Sequence, residues 1–296
     1  MADLAVLSLT PAARRWLAAS TAARVLSTFD RACNLVNQDN AILTLVTSER
    51  RLTPFAMVVG GDDPTPFQAV SETSAVTVSV EQLLVGSLSV RIETSNVWDP
   101  VPDWKAIHQT FAEHPTRLRE LAQMVVELSL DGSLLGLYTP DPAHVAGLER
   151  AVRDRAWRGA VDLVRGLVIG MDQRINIGVK LLAGLGMGLT PAGDDFLVGV
   201  LLALWAGLYG EGRAEFAAAI AKGAAPLTTT LSAAYLHAAA NGECLAYWHI
   251  LFAAVRVGDA EVMRMAAKSL MTIGHTSGAD GLAGFLAVYY LGEQTL

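Results

Sequence analysis

Cysteine is scarce in this sequence, which has only Cys33 and Cys244 among its 296 residues. Two cysteines so far apart exclude a disulfide framework and a thiolate metal cluster. The N-terminus also lacks a convincing signal peptide, because its apolar run is short and Asp3 interrupts it. These absences favour a soluble protein of the reducing cytoplasm.

Charged residues are scarce as well, at 17% of the chain against a usual share of about a quarter. The formal net charge is −7, and no basic stripe with interleaved aromatics occurs, so nucleic acid is not an expected partner. The longest apolar stretch, residues 196–210, is shorter than the roughly 20 residues that span a bilayer, so no membrane partner is expected. The 52% of hydrophobic residues predicts extensive burial, including contacts within an oligomer.

The residue pattern changes near position 100 and predicts an α+β protein of two domains. Residues 1–100 hold β-branched runs separated by turn residues, which predict an antiparallel sheet or small barrel. A short helix is expected to begin at Thr10-Pro11, and residues 96–103 are the predicted linker. Residues 101–296 predict a larger, glycine-punctuated helical domain. Its expected helices span 104–129, 142–169, 196–209, 213–222, 229–240, 245–257, 259–271 and 281–291.

The first motif, GLGMGLTPAGDDFLVG at residues 184–199, joins a glycine-rich loop to a very apolar helix. Glycines let the backbone approach a ligand, and a helix start offers N–H groups to an anion. The spacing of Gly188 and Gly193 is that of a P-loop, but two aspartates stand where Lys-Ser/Thr is required. A third glycine of the dinucleotide fingerprint is also missing, so both nucleotide sites are excluded.

Asp194 and Asp195 have three candidate roles at this helix start. They can cap the helix, bind a hard cation such as Mg²⁺, or orient amide N–H groups of a substrate. The purely structural alternative is a helix capped by Thr190 with Pro191 as its first residue. We predict that both aspartates are catalytic, with Mg²⁺ as a candidate cofactor that they would bind. The predicted substrate-binding residues of this motif are Gly186, Gly188, Thr190 and Gly193.

The second motif, IGHTSGADGLAG at residues 273–284, places an imidazole, two hydroxyls and a carboxylate within six residues. His275 and Asp280 are predicted to be catalytic, His275 as an acid/base or as a group that polarises a carbonyl. Thr276, Ser277 and Gly278 are predicted to bind an anionic substrate. The alternative is a Ser277/Asp280 capping box.

A third segment, PLTTTLSAAY at residues 226–235, adds Thr229 and Ser232 as predicted substrate-binding residues. Helix capping by Thr228 or Thr229 is the more ordinary interpretation of the same pattern.

The two motifs also repeat one pattern, G-x-D-x-x-x-G, at residues 193–199 and 278–284. A threonine lies just upstream of each copy and an apolar helix follows each. The repeat predicts two similar loop-to-helix turns whose starts converge on one site.

In their order and position, the two motifs and the TTTLSAAYL segment resemble those of the AllH family. FDRACNLVNQDNAILTLVT near the N-terminus is similar to that family's early strands. The named member of the family is a subunit of the oxamate carbamoyltransferase of anaerobic allantoin degradation. The resemblance implies a multi-subunit transferase that moves a carbamoyl group between oxalurate and phosphate, giving oxamate and carbamoyl phosphate. Its expected ligands are therefore small anions.

Two other classes of function stay open. One is a non-catalytic scaffold or regulatory subunit, in which the glycines serve close helix packing. The other is a stand-alone, metal-dependent hydrolase or transferase that uses the aspartate pair.

Overall fold

The chain divides into two compact units. One consists of Met1–Pro100 with Cys244–Ala246, and the other of Val101–Glu243 with Tyr247–Leu296. The structure, a computed structural model, describes residues 2–92, 96–128, 131–139, 147–210 and 212–292.

The first unit is built on one sheet that bends almost into a closed barrel. Its strands are β1 (Ala2–Leu9), β2 (Ala23–Phe29), β3 (Ala32–Asn37), β4 (Ile42–Val46), β5 (Ala56–Gly60), β6 (Val76–Val78), β7 (Gln82–Val85), β8 (Leu88–Arg91) and β9 (Asn96–Val97). The strand order is β2-β3-β4-β5-β1-β8-β7-β6, with β9 beside β1. One antiparallel bridge, between Arg24 and Ala75, brings the two ends of the sheet together.

The predicted sheet or small barrel is confirmed, but its strands are mixed in direction and not all antiparallel. Strand β1 runs parallel to β8 and β9, and β4 runs parallel to β5. Strand β1 itself was not predicted, although its alternation is visible, with Leu4 and Val6 buried and Leu7 exposed. Because β1 pairs with strands far along the chain, no local turn signal announces it. Part of the predicted linker is strand β9.

A short helix, α1 (Pro11–Ala19), packs on this sheet. Thr10 is its N-cap, and the Thr10 hydroxyl accepts the N–H of Ala13 at 3.1 Å, as Thr-Pro predicts. Trp16 and Leu17 of the helix join the apolar cluster formed by the strands. This burial of apolar surface stabilises the unit.

The second unit is helical, which confirms the predicted fold class. Its α-helices are α2 (Trp104–Glu113), α3 (Thr116–Glu127), α4 (Gly147–Ile169), α5 (Asp172–Leu182), α6 (Ala192–Trp205), α7 (Phe216–Ala224), α8 (Thr230–Ala240), α9 (Ala246–Val257), α10 (Ala260–Met271) and α11 (Ser277–Gly292). A 3₁₀ helix at Leu134–Tyr138 lies between α3 and α4. No helix among the described residues is long and apolar enough to cross a membrane.

Several helix bounds differ from the predicted ones. The helix expected over 104–129 is two helices, because Pro115 separates α2 from α3. Helix α5 was not predicted as a separate element. Helices α6 and α11 begin four residues earlier than predicted, so the carboxylates of both motifs lie within the first helical turns. The start of the helix predicted at 142 lies outside the described residues.

Candidate functional site

Asp194 lies in the first turn of α6 and joins three chain segments. One carboxylate oxygen, Oδ1, accepts the backbone N–H of Gly184 at 2.9 Å, and Oδ2 accepts the hydroxyl of Thr228. The side chain is buried. Burial raises its pKa above the ordinary value, and the bonds from Gly184 and Thr228 partly oppose that rise. With both oxygens hydrogen-bonded, the carboxylate holds the glycine-rich loop and the threonine segment against α6.

Asp195 differs from its neighbour because one of its two carboxylate oxygens has no hydrogen-bond partner in the part of the chain that the structure describes. Its Oδ2 atom is buried and has no hydrogen-bond partner among the described residues. Burial raises its pKa well above the ordinary value, and the carboxylates of Asp280 and Asp194 raise it further. The Ser277 and Thr190 hydroxyls lie close enough to lower that pKa in part. Asp195 is therefore electrostatically coupled to the second motif.

Asp280 occupies the corresponding place in the first turn of α11. Its Oδ1 accepts the backbone N–H of Leu134 at 2.6 Å, while its buried Oδ2 has no hydrogen-bond partner among the described residues. Burial raises its pKa to about 6, against the opposing effects of the Leu134 amide, the Thr276 hydroxyl and His275. Asp280 can therefore exchange a proton near neutral pH.

The two motifs meet directly at the helix starts. The hydroxyl oxygens of Thr190 and Ser277 lie 3.0 Å apart, within hydrogen-bonding distance. Thr190 is not the N-cap of α6; Pro191 occupies that position. Ser277 is the first residue of α11 rather than its cap, so the capping box that was the alternative interpretation does not form.

Glycines permit this meeting because α6 and α11 cross with their backbones in contact. A Cβ atom on Gly199 would lie 1.9 Å from the carbonyl oxygen of Gly281. One on Gly284 would lie 1.9 Å from the carbonyl oxygen of Phe196. In the repeated pattern, Gly284 corresponds to Gly199 and Gly281 to Phe196. The two contacts are therefore reciprocal, as in a two-fold arrangement.

The glycines that open the two patterns also pack on backbone. A Cβ on Gly193 would lie 2.0 Å from the carbonyl oxygen of Leu182, and one on Gly278 would lie 1.9 Å from that of Leu270. Each glycine thus lets its helix start beside the end of the preceding helix. For Gly193 and Gly278, close packing explains the residue type without a ligand.

The glycine-rich loop itself is open to solvent. Gly186 and Gly188 have positive φ angles of 118° and 94°, which favour glycine. A Cβ on Gly188 would meet nothing within 4 Å, and Met187 is 92% exposed. The N–H groups of residues 186–190 form no backbone hydrogen bond with the part of the chain that the structure describes. They are therefore available to a ligand.

The threonine segment supports this loop from the side. Thr229 is the N-cap of α8, accepting the N–H of Ser232 at 3.1 Å, as its capping interpretation predicts. The Thr229 hydroxyl also donates to the carbonyl oxygen of Leu189 at 2.6 Å. Ser232 is buried beside Asp194, and its hydroxyl has no hydrogen-bond partner among the described residues.

His275 and Thr276 lie in the turn that precedes α11. His275 is exposed and Thr276 is partly buried. Both act on Asp280, since each lowers the pKa of that carboxyl. The structure thus places the predicted residues of the second motif around Asp280.

The donor set does not fit a divalent cation. No group of three or more His, Cys, Asp or Glu side chains among the described residues is arranged to hold a metal ion. Asp194 has both oxygens in protein hydrogen bonds, and Mg²⁺ requires several oxygen ligands.

Sequence patterns did not reveal every residue that builds this cluster. The amide of Leu134 lies 146 positions from Asp280, and no local signal marks it. Thr228 was recognised only as a cap, although its hydroxyl holds Asp194. A separate groove between α2 and α9, bordered by Gln109, Arg117 and Arg256, contains none of the predicted site residues.

Comparison with known proteins gives two matches to one family. The model described as oxamate carbamoyltransferase subunit AllH matches residues 182–289, which include both motifs and the threonine segment. The model described as the AllH family N-terminal domain matches residues 5–98, which include most of the sheet. No solved structure matches the chain.

Proposed function

The chain belongs to the AllH family, and we propose that it supplies substrate-binding and catalytic residues to an oxamate carbamoyltransferase complex. The proposed reaction moves a carbamoyl group between oxalurate and phosphate, with oxamate and carbamoyl phosphate as the other pair. Its place would be the cytoplasmic recovery of nitrogen from allantoin. The family description as a subunit supports a complex with other chains.

The crossing of α6 and α11 is the observation that carries this proposal. It gathers two hydroxyls and two carboxyls, those of Thr190, Ser277, Asp195 and Asp280, at adjacent helix starts. Oxygens of both carboxyls are buried without partners. Buried polar groups are normally satisfied, so unsatisfied ones clustered together favour a ligand site.

The reaction requires proton transfer that this cluster is suited to perform. An oxygen of hydrogen phosphate attacks the terminal carbonyl carbon of oxalurate, and the carbon–nitrogen bond to the oxamyl part breaks. The proton of hydrogen phosphate then ends on the departing oxamate nitrogen, so the atoms and charges balance. Asp280, with a pKa of about 6, is assigned to relay that proton, since catalytic acids work best near the operating pH.

Other residues are assigned to binding and positioning. Loop N–H groups of residues 186–190 and the Thr190 and Ser277 hydroxyls are assigned to the anionic substrate and to the tetrahedral transition state. His275 would donate a hydrogen bond to the carbamoyl oxygen. Asp194 and Thr229 would position the loop, because each bonds to its backbone.

Reconstitution of the complex tests the proposal. We expect phosphate-dependent conversion of oxalurate to oxamate with this chain present and none without it. Asp195→Asn and Asp280→Asn should each lower kcat at least a hundredfold, equivalent to ~2.7 kcal/mol. Asp172→Asn is the matched control, because Asp172 is an exposed acid in the first turn of α5. Full turnover by both site variants would refute a catalytic role.

A scaffold subunit is the second candidate, and one observation favours it. Gly193, Gly199, Gly278 and Gly284 all meet backbone atoms of neighbouring segments, as the scaffold hypothesis predicts. In that case the chain is needed for assembly, but Asp195→Asn and Asp280→Asn leave turnover unchanged. The same reconstitution therefore separates the two functions.

A further inference from the structure

Two carboxylate oxygens at the starts of α6 and α11 are left without a hydrogen-bond partner within the described ranges. Oδ2 of Asp195 and Oδ2 of Asp280 are both buried, and neither receives a hydrogen bond from the described residues. Asp280 as a whole is 0% exposed. In its ionised form each of these oxygens accepts hydrogen bonds, and no N–H or hydroxyl of the described residues pairs with either Oδ2 atom.

The nearby backbone cannot supply those donors, because its N–H groups are already used. In α6 the N–H of Gly193 donates to Leu185, and those of Asp194 and Asp195 donate to Pro191. In α11 the N–H of Asp280 donates to the carbonyl oxygen of Thr276 at 2.8 Å. The first turns therefore offer a ligand few free donors beside these carboxyls.

Charge in the cluster also argues against an anion at this spot. None of Asp194, Asp195 and Asp280 forms an ion pair with a described lysine or arginine. Each carboxylate raises the pKa of Asp195 through repulsion. A phosphate ion here would add negative charge to carboxyls that form no ion pair with a described lysine or arginine.

We propose that Asp195 and Asp280 bind the NH₂ group of the ligand's primary amide or carbamoyl end through their unpartnered Oδ2 atoms. An amide NH₂ has two N–H donors and no charge, which matches two acceptors in a buried site. The anionic end of the same ligand then lies toward the exposed N–H groups of residues 186–190. This inference rests on the proposed function for the ligand class, and phosphate is not the ligand of this cluster.

Two ligands of equal charge and shape test the inference. Oxamate and pyruvate are monoanions that differ in one group, an amide NH₂ in oxamate and a methyl group in pyruvate. Isothermal titration of the full chain should show oxamate binding at least tenfold more tightly than pyruvate. Pyruvate would leave both carboxylate oxygens unpaired, which costs affinity.

Variants locate the preference on the cluster. Asp195→Asn and Asp280→Asn replace an acceptor by a donor at nearly constant shape, so each should reduce the oxamate preference to less than threefold. Asp172→Asn should keep it. Inorganic phosphate should not displace oxamate from the two carboxyls. Any competition by phosphate should therefore be the same in the wild type and in both site variants.

Each other outcome overturns the inference. Equal affinities for oxamate and pyruvate, or a preference that survives both site variants, would place the NH₂ group elsewhere. Absence of binding by both ligands would mean that the two carboxyls satisfy one another through a shared proton. If the wild type shows no preference for oxamate, and phosphate displaces the ligand unless Asp195 or Asp280 is replaced, the two carboxyls belong to an anion site instead.

Failure of the proposed function has a different signature. A complex that binds oxamate as expected but does not carbamoylate phosphate would refute the reaction and leave the amide site standing. Turnover that needs Asp195 and Asp280, without any oxamate preference, would refute the amide site alone.

Discussion

The backbones of Gly199 and Gly281 lie in contact, and a Cβ atom on Gly199 would lie 1.9 Å from the Gly281 carbonyl oxygen. Helices α6 and α11 can therefore approach more closely than side chains would permit. Because the crossing lies one to two turns beyond the two helix starts, it also brings Asp195 and Asp280 together. The geometry of the candidate site thus depends on residues that have no functional groups.

Gly199→Ala should destabilise the second unit strongly. The new methyl group would meet backbone that cannot rotate away, so the helices must separate. We expect a loss of about 3 kcal/mol or more in the free energy of unfolding, at the upper end for overpacked cores. Thermal unfolding would show this as a fall in Tm of roughly 6–12 °C or more.

Gly223→Ala is the matched control for this substitution. Gly223 lies in α7, where a Cβ would meet only a methyl group of Val179 at 3.5 Å, an ordinary contact. Alanine should stabilise this helix by up to about 1 kcal/mol. Equal effects of the two substitutions would show that the contact of Gly199 does not limit the approach of the helices.

Asp194 should tolerate asparagine but not alanine, if its role is positioning. The asparagine Oδ1 can accept the Gly184 N–H, and its NH₂ can donate to the Thr228 oxygen, which accepts in place of donating. Activity of the assembled complex should then stay within tenfold, or ~1.4 kcal/mol. Asp194→Ala removes both bonds and should cost about 1–3 kcal/mol of stability, together with most of the activity.

The contrary result would restore the catalytic role that the sequence predicts for Asp194. In that case Asp194→Asn abolishes turnover while the Tm stays that of the wild type. Steady-state kinetics and thermal unfolding of the same preparations are sufficient to decide.

The sequence predicted the class of the fold and the convergence of the motifs better than it predicted the contacts. Helical periodicity and punctuating glycines are local signals, so α8, α9 and α10 were placed within two residues. Strand β1 was not predicted, because the strands that pair with it are distant in the sequence. The same reason hides the bond from Leu134 to Asp280, which only the packed fold brings together. Asp194 and Asp195 are adjacent and identical in type, and only their surroundings distinguish the carboxylate with both oxygens bonded from the one with an unpartnered oxygen.

Asp280 should make stability fall as the pH rises between about 4 and 6. Its ordinary pKa of 3.8 becomes about 6 in the folded protein, so the unfolded chain loses the proton first. The stabilising contribution of Asp280 is complete below about pH 4 and decreases between pH 4 and 6. Above about pH 6 it is absent, and stability no longer changes with pH on its account. The rise in pKa from 3.8 to about 6 corresponds to about 3 kcal/mol in the free energy of unfolding.

Urea unfolding at several pH values measures this contribution. Asp280→Asn should flatten the profile between pH 4 and 6, because asparagine does not ionise in this range. Asp172→Asn should leave the profile unchanged. An identical profile for wild type and Asp280→Asn would show that the carboxyl ionises normally in the folded chain.

His275 should act as a hydrogen-bond donor to the substrate rather than as a base. The side chain is exposed in the turn before α11, and its effect on Asp280 places it beside the cluster. Glutamine preserves an N–H donor of similar reach, whereas alanine removes it. We therefore expect His275→Gln to retain at least tenfold more activity than His275→Ala, a difference of ~1.4 kcal/mol.

His237→Gln, at an exposed histidine of α8, is the control and should leave the activity unchanged. Equal, large losses in both His275 variants would indicate proton transfer by the imidazole or its charge on Asp280. A pH–rate profile would separate the two explanations. Loss of the imidazole charge alone raises the pKa of Asp280, so the part of the profile that reports Asp280 moves to higher pH. Full activity in both variants would remove His275 from the site.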